Sequence, residues 1–183
     1  YPSKITAPYG LAKKMMHVAS DAYSSQYGFN AIHLLMINLY GPGDDFNPET
    51  SHAIPALIKR VYNAKNNNLD SIDVWGDGTA SREFLFVDDA AEAIVMATQS
   101  HNSSDPVNIG SGREVPIKIL IELICEYMDY QGKIMWDTSK VGGQLRRKLD
   151  VNLAESSFGF KAKTEFEDGL KETIGWYLST QVK

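Results

Sequence analysis

The sequence predicts an α/β fold, because helical and strand patterns alternate along its 183 residues. Apolar positions recur at helical spacing from about Pro8 to Tyr27, and Gly28 supplies a stop. The stretch 30–40 that follows is almost continuously apolar, as expected of a buried parallel strand, and Gly41 ends it. A long amphipathic helix followed by a buried strand is typical of open α/β sheets.

The later elements are predicted from periodicity and turn residues. A helix is expected after Ser51, which would be its N-cap, and Pro55 is tolerated in its first turn. A strand running from residue 81 leads into a helix at 90–99 that Asp88 or Asp89 would cap. Strands are also expected at 71–76, 106–109 and 133–137, and helices at 117–128 and 166–178.

Composition excludes several classes of function. The chain is 43% hydrophobic and 22% charged, which is ordinary for a globular domain with one core. Its net charge of −5 argues against nucleic acid or an anionic membrane as the main partner. No apolar run approaches the roughly 18 residues of a membrane span, and the start does not resemble a signal peptide. The single Cys125, interpreted as buried filler, cannot form an internal disulfide, so we expect a reducing cytoplasm.

Tyr9 and Lys13 are the first candidate reactive pair. They lie four residues apart near the start of the predicted first helix, so they share one helical face. A phenol ionises near pH ~10, so its use as a proton donor and acceptor near neutrality requires a nearby cation. Lys13 is placed to provide that cation and to hydrogen-bond a sugar hydroxyl of a nucleotide cofactor. A chance spacing on an amphipathic helix is the alternative.

Other candidate residues follow along the chain. His52 lies at a predicted helix start, where an imidazole is suited to proton transfer near neutral pH; an ordinary surface histidine is the alternative. Asn38 falls near the carboxyl end of a strand, where open α/β sheets bind ligands; a structural hydrogen bond at a turn is the alternative. Arg82 could bind a diphosphate with its guanidinium group, or it could form a surface ion pair with Glu83. Trp75 could stack on a base or sugar, or it could be a core aromatic residue.

Two further segments complete the candidate set. Three consecutive cations, Arg146 to Lys148, either close over phosphates or form a solvated turn. The segment 108–112 follows a strand but lacks the third glycine of a dinucleotide fingerprint, which favours a simple turn. No metal site is expected.

The motifs together resemble the extended short-chain dehydrogenase/reductase family acting on nucleotide-diphosphate sugars. They are Tyr9-x-x-x-Lys13, Asn38-Leu39-Tyr40-Gly41-Pro42, Arg82-Glu83-Phe84-x-x-Val87-Asp88-Asp89 and Asn108-Ile109-Gly110-Ser111-Gly112. The segments Ser51-His52-Ala53-Ile54-Pro55-Ala56-Leu57 and Val74-Trp75-Gly76-Asp77-Gly78-Thr79 narrow the likeness to the branch that uses GDP-4-keto-6-deoxy-D-mannose.

This resemblance implies an NADP-dependent enzyme that epimerises two carbons of that sugar and then reduces its 4-keto group. Tyr9 would be the acid of the reduction, Lys13 its partner and ligand of the cofactor ribose, and His52 the acid of the epimerisation. The residues expected at the cofactor are Tyr9, Lys13, Met36, Ile37, Asn38, Leu39 and His52. The residues expected at the GDP-sugar are Arg60, Trp75, Arg82, Lys140 and Arg146.

The resemblance also implies a division of the chain. Residues 1–45 would complete a dinucleotide-binding Rossmann domain, and 46–183 would mainly form the substrate-binding domain. The glycine fingerprint and the cysteine that acts as the base in this family have no match, so we expect a missing N-terminal half and an inactive isolated chain. The family implies a homodimer.

Two alternatives stay open at this stage. The first is another NAD(P)-dependent nucleotide-sugar epimerase or dehydratase that uses Tyr9 and Lys13 without His52. The second is a non-catalytic nucleotide-sugar-binding fragment. The sequence does not distinguish NADP from NAD, because the residues that read the ribose phosphate lie upstream in this family.

Overall fold

A computed structural model of the chain describes residues 7–139 and 144–181. The helices span Ala7–Tyr27 (α1), Ala53–Asn66 (α2), Val87–Ser100 (α3), Ile117–Tyr127 (α4), Asn152–Phe158 (α5) and Phe166–Thr180 (α6). The strands span Leu34–Met36 (β1), Asn38–Tyr40 (β2), Ser71–Trp75 (β3), Ser81–Phe86 (β4), Val107–Ile109 (β5), Glu114–Pro116 (β6), Lys133–Asp137 (β7) and Arg146–Arg147 (β8). This alternation confirms the predicted α/β class.

Most strand pairs are parallel, as expected when helices connect the strands. β1 pairs with β5, β2 with β4, and β3 with β7, all in parallel. The start of β4 also pairs with β6 in antiparallel and with β8 in parallel register. β4 is therefore the strand on which several segments distant in sequence converge.

The apolar run at 30–40 was predicted as one strand, and that prediction is wrong. The run forms β1 and β2, which have different partners, and Ile37 lies between them. Ile37 N–H donates to Ile109 O at 3.0 Å, so the chain stays attached to β5 before it turns to β4. A change of partner strand, which no local pattern records, divides the run.

The larger core cluster lies between the helices and β2, β3 and β4. In α2 the buried face is formed by Ile54, Leu57, Ile58 and Val61, and in α4 by Leu120, Ile121, Ile124 and Cys125. In β3, Ile72 and Val74 are buried while Ser71, Asp73 and Trp75 are exposed. These are the helical and strand periodicities of one-sided burial, and they confirm Cys125 as a buried core residue.

A second core cluster joins residues on both sides of position 45. It contains Ile37, Val107 and Ile109, together with three alanines of α3 and Phe158 at the end of α5. Helix α1, by contrast, buries none of its residues in the described part of the chain. The division at residue 45 stays a prediction.

Two predicted helix caps are wrong. The N-cap of α2 is His52 and not Ser51, and the His52 side chain makes no capping hydrogen bond. Ser51 Oγ is buried and has no hydrogen-bond partner among the described residues. α3 starts at Val87, and Asp89 in its first turn is buried. Its carboxylate accepts from the backbone N–H groups of residues 163 and 164 at 3.2 and 3.1 Å. Asp89 therefore ties α3 to the approach to α6.

Two features are absent from residues 7–139 and 144–181. No helix there is both long enough and apolar enough to cross a bilayer. Within residues 7–139 and 144–181, no group of three or more His, Cys, Asp or Glu side chains is arranged to hold a metal ion.

Candidate active site

A cavity of about 570 Å³ opens where β2 ends, and we call it the tyrosine cavity. It is lined by residues 36–44 together with Tyr9, His52, Val87 and Arg147. The volume is within the range of small-molecule sites. Tyr9, Met36, Ile37, Asn38, Leu39 and His52, six of the residues predicted for the chemistry, therefore lie around one space.

Tyr9 and Lys13 are placed side by side on α1. The Lys13 ammonium lies 5.6 Å from the centroid of the Tyr9 ring, and the Tyr9 side chain is 71% exposed. Lys13 itself does not line the tyrosine cavity. Tyr9 thus lines the cavity, and the Lys13 ammonium lies over the face of its ring.

His52 reaches the same cavity from the start of α2. Its backbone is extended (φ −76°, ψ 178°), and its carbonyl accepts the first-turn hydrogen bond from Ala56 N–H at 3.0 Å. The backbone thus fixes the residue while the imidazole is exposed. The cavity wall therefore has a phenol on α1 and an imidazole on α2, two groups that donate and accept protons.

The wall at 36–39 has both apolar and polar parts. Met36 is half-buried and Leu39 is 39% exposed, whereas Ile37 packs into the second core cluster with 4% exposure. Asn38 Nδ2 donates to the backbone carbonyl of Glu83 at 2.9 Å, so this side chain joins β2 to β4. Met36 and Leu39 thus provide apolar surface for a flat ring, and Ile37 provides little side-chain surface.

Glu83 is fully buried and holds two distant loops in place. Its carboxylate accepts from Gly112 N–H at 2.8 Å and from Leu149 N–H at 2.7 Å. A Cβ atom on Gly110 would lie 2.1 Å from Glu83 Oε1, so only glycine fits at that position. Because Leu149 follows the cationic segment, Glu83 helps to fix the place where Arg147 lines the tyrosine cavity.

A second cavity of about 510 Å³ lies between α2 and β3, and we call it the tryptophan cavity. It is lined by Pro48, Leu69, the α2 residues Ala56, Lys59, Arg60, Asn63 and Ala64, and the β3 residues Ser71, Ile72, Asp73 and Trp75. It brings together two of the predicted substrate residues, Arg60 and Trp75. The Arg60 guanidinium donates to the backbone carbonyl of Asp73, and the Trp75 side chain is 65% exposed.

The loop after β2 connects the two cavities. Asp44 lines the tyrosine cavity and Pro48 lines the tryptophan cavity. Between them, Asp45 Oδ1 accepts from Asn47 N–H at 2.8 Å. The Thr50 hydroxyl also donates to Asp45, and this bond, followed by the one from Asn47, holds the pKa of the Asp45 carboxyl below its usual range. The loop is thus braced by its own side chains.

The other predicted substrate residues lie elsewhere. Arg82 donates to the carbonyl of Ser81 at 2.7 Å, and Arg146 Nε donates to both Glu114 oxygens at 2.8 and 2.9 Å; neither arginine lines either cavity. Arg146, with help from Ser81, lowers the pKa of Glu114 to about 2. Lys140 lies outside the described residues.

Sequence reasoning missed Glu83 and Arg147. Glu83 was weighed only as a surface partner of Arg82, because its acceptor role depends on loops far away in sequence. The cationic run at 146–148 did signal a basic site, but it did not indicate which cation would face the cavity. β8 pairs with β4, and Glu114 from β6 binds Arg146, which leaves Arg147 at the tyrosine cavity.

The motifs and the fold resemble those of the extended short-chain dehydrogenase/reductase family, and the comparison with protein families agrees. The model of the NAD dependent epimerase/dehydratase family matches residues 1–110. The chain belongs to this family. Its structural relatives have the same fold, which confirms the resemblance drawn from the motifs.

The relatives narrow the likeness further. Probable GDP-L-fucose synthase 1 of Oryza sativa subsp. japonica is 42% identical over 174 residues, which are 95% of this chain and 53% of that protein. GDP-L-fucose synthase of Escherichia coli strain K12 is 36% identical over 183 residues, covering 95% of this chain and 57% of that protein. The chain therefore spans about half the length of these curated relatives.

Solved structures of two enzymes resemble the chain equally well. A GDP-L-fucose synthetase from Naegleria fowleri bound to NADP is 28% identical with a TM-score of 0.85, over 96% of this chain and 56% of that one. UDP-glucose 4-epimerase from Thermotoga maritima with UDP-glucose is 26% identical with a TM-score of 0.85, and the match covers 95% of this chain and 54% of that one. Fold similarity alone therefore does not choose between GDP- and UDP-sugars.

Proposed function

We propose that this chain carries the proton donors and the GDP-sugar site of a GDP-L-fucose synthase. The proposed reaction is NADP-dependent 3,5-epimerisation and 4-reduction of GDP-4-keto-6-deoxy-D-mannose. The observation that carries the proposal is the tyrosine cavity, which has Tyr9 on one wall and His52 on another. The family's epimerases need only the tyrosine and lysine, so an imidazole at the same cavity supports a second proton-transfer step. The 42% identity to a probable GDP-L-fucose synthase supports the same choice.

In the reduction, Tyr9 donates its phenolic proton to the 4-keto oxygen of the sugar. Lys13 stabilises the phenolate that this transfer leaves, because its ammonium lies beside the ring. The exposure of Tyr9 at the cavity leaves its hydroxyl free to meet a substrate oxygen. Geometry and charge thus agree with a general acid at this position.

In the epimerisation, His52 returns a proton to a carbon from which a base has removed one on the other face. The backbone of His52 is fixed at the start of α2, and its exposed ring faces the space that Tyr9 also faces. We assign no residue of this chain as the base. Cys125 is unsuited to it, because it lies in the core and burial raises the pKa of its thiol to about 11.

The residues around the tyrosine cavity fit a nicotinamide cofactor. Met36 and Leu39 would contact the ring, Asn38 lies beside them, and Lys13 would bind the adjoining ribose. The reduced cofactor, NADPH, would supply the hydride for the reduction. The NADP-bound relative at 28% identity supports this choice of cofactor.

The tryptophan cavity would take the nucleotide, with Trp75 stacking on the base or ribose and Arg60 contributing positive charge. Arg147 in the tyrosine cavity would hold the diphosphate between the two spaces. Arg82, Arg146 and Lys140 stay predicted ligands, and Arg146 would need to leave Glu114 to bind the substrate directly.

Three broader proposals accompany the reaction. The 183 residues by themselves are expected to be inactive, because the residues proposed here bind only part of the cofactor. A homodimer is expected from the family resemblance, and sedimentation of the full-length gene product tests it. A cytoplasmic location stays a prediction, which fractionation of expressing cells tests.

The test is product analysis with NADPH and 4-keto-6-deoxy sugars linked to GDP or UDP. The full-length gene product should oxidise NADPH with the GDP-sugar and release GDP-L-fucose, and Tyr9→Phe should abolish NADPH oxidation. Tyr23→Phe is the matched control, since Tyr23 is an exposed tyrosine of the same helix that does not line the cavity. Turnover of the UDP-sugar alone would indicate a sibling enzyme. Steady NADPH oxidation by the isolated 183 residues would contradict the expected inactivity.

A further inference from the structure

The outward face of β3 forms one wall of the tryptophan cavity. Ser71, Asp73 and Trp75 are exposed and line the cavity, and Ile72 lines it as well although it is only 4% exposed. Val74 is 3% exposed and does not line the cavity. Residues two apart on one face of a strand are roughly 6.6 Å apart. The Asp73 and Trp75 side chains therefore leave the same face of the strand as neighbours, and both line the cavity.

The Asp73 carboxylate is available to a ligand. Arg60 on the opposite wall donates to the backbone carbonyl of Asp73 and not to its side chain. Among residues 7–139 and 144–181, no hydrogen bond or ion pair engages the carboxylate itself, and the residue is exposed. The cavity thus contains an acceptor-only group with free oxygens, beside an exposed aromatic face and a cation.

We propose that Asp73 reads the base of the nucleotide and selects guanine. This inference rests on the proposed function, because it assumes that the tryptophan cavity takes the nucleotide end of the substrate. With the base against Trp75, the two Asp73 oxygens accept from the ring N1–H and the 2-amino group of guanine. These are two adjacent donors, and a carboxylate matches them with two parallel hydrogen bonds.

The same carboxylate disfavours the other common bases. Uracil offers a single ring N–H between two carbonyl oxygens, so a carboxylate that accepts this proton also faces a second acceptor. Adenine offers an amino group beside a ring nitrogen that is itself an acceptor. Asp73 would therefore favour guanine over uracil and adenine in two ways, by attracting guanine and by repelling the acceptor atoms of the other two bases.

The positively charged side chains of the cavity allow an acidic residue to contact the base of an anionic nucleotide. Lys59 and Arg60 both line the tryptophan cavity from α2. Lys59 Nζ donates to Phe46 O at 3.0 Å, so its charge is held near the cavity by the loop after β2. Asp73 can thus contact the base edge while the positive charges on α2 offset its repulsion of the phosphates.

The experiment compares nucleotide binding by the full-length gene product and its variants. GDP, UDP and inosine 5′-diphosphate, which lacks only the 2-amino group of guanine, are titrated by calorimetry. The parent should bind GDP about 10-fold more tightly than inosine diphosphate, the effect of one hydrogen bond to a charged acceptor. Asp73→Asn and Asp73→Ala should weaken GDP binding and bring this ratio close to one.

The matched control is Asp70→Asn. Asp70 is an exposed carboxylate immediately before the same strand, and it does not line the tryptophan cavity. It should keep the parent ratio. If both Asp73 variants keep the parent preference for GDP over inosine diphosphate, the base-reading role is overturned while the proposed function stands. If the parent binds UDP more tightly than GDP, the proposed substrate itself is overturned.

Discussion

Glu83 gives the most quantitative test of how the site is built. The change Glu83→Gln replaces one carboxylate oxygen by an NH2 group in a fully buried position. The parent carboxylate accepts from Gly112 N–H and Leu149 N–H, so in either amide orientation one of these donors would face another donor. A donor without an acceptor in the interior is destabilising, and the two loops should loosen together.

The magnitude follows from the two hydrogen bonds. A hydrogen bond to a charged group contributes roughly 1.5 to 3 kcal/mol, and an unsatisfied buried donor costs about 1 to 3 kcal/mol. Glu83→Gln loses one bond and weakens the other, so we expect a loss of about 2 to 4 kcal/mol in the free energy of unfolding. Glu83→Ala leaves both donors unsatisfied and opens a cavity, so we expect about 3 to 5 kcal/mol.

The assay is urea unfolding of the protein followed by tryptophan fluorescence. Glu122→Gln is the control, because Glu122 is exposed and its ion pair with Lys118 Nζ is long, at 3.9 Å. We expect its free energy of unfolding to change by less than about 0.5 kcal/mol. Hydrogen exchange at Leu149 N–H should also accelerate in Glu83→Gln. A Glu83→Gln protein with parent stability and unchanged exchange at Leu149 would refute the reasoning.

The remaining predictions concern packing, pH and thiol reactivity. Gly169→Ala should lower the free energy of unfolding by about 1 to 3 kcal/mol, since the new Cβ would lie 2.5 Å from the hydroxyl oxygen of the buried Tyr40. In the same helix, the Cβ of Gly175→Ala would meet open space, so this change should raise the free energy of unfolding by about 0.5 to 1 kcal/mol. Urea unfolding of both variants checks the opposite signs. The pKa of Glu114 is lowered from its ordinary value of 4.5 to about 2 in the folded protein. The pairing of Glu114 with Arg146 therefore stabilises the fold at pH values above 4.5, and this stabilisation is lost as the pH falls toward 2. Arg146→Gln should move the Glu114 NMR titration midpoint up toward 4.5; an unchanged midpoint would show that Arg146 is not the cause. Burial raises the pKa of Cys125 to about 11, so thiol labelling at pH 8 should be slow in the native protein and fast in urea, whereas equally fast labelling in both would contradict the burial.

The sequence predicted the elements whose burial pattern is local. The helix at 117–128 was expected from apolar residues at helical spacing, and the structure places α4 at Ile117–Tyr127. Strand β3 was expected at 71–76 and spans Ser71–Trp75. One-sided burial against a single core leaves a regular imprint on the sequence, so these elements were found.

What the sequence could not predict depends on contacts between distant segments. The division of 30–40 follows from a change of partner strand at Ile37. The choice of Arg147 over Arg146 at the tyrosine cavity depends on Glu114, 32 residues before Arg146. The buried role of Glu83 depends on backbone N–H groups 29 and 66 residues away. None of these contacts has a periodic signal, which is why they were missed.

Solvent isotope mapping tests the central claim that Tyr9 and His52 serve two different proton transfers in one cavity. The full-length gene product is incubated in D2O with GDP-4-keto-6-deoxy-D-mannose and NADPH, and deuterium in the sugar is located by NMR. We expect GDP-L-fucose with deuterium at carbons 3 and 5. Tyr9→Phe should still introduce deuterium at both carbons without oxidising NADPH, and His52→Gln should lose the epimerised product. If the parent reduces the keto-sugar without introducing deuterium at either carbon, the two-step function proposed for this cavity is wrong.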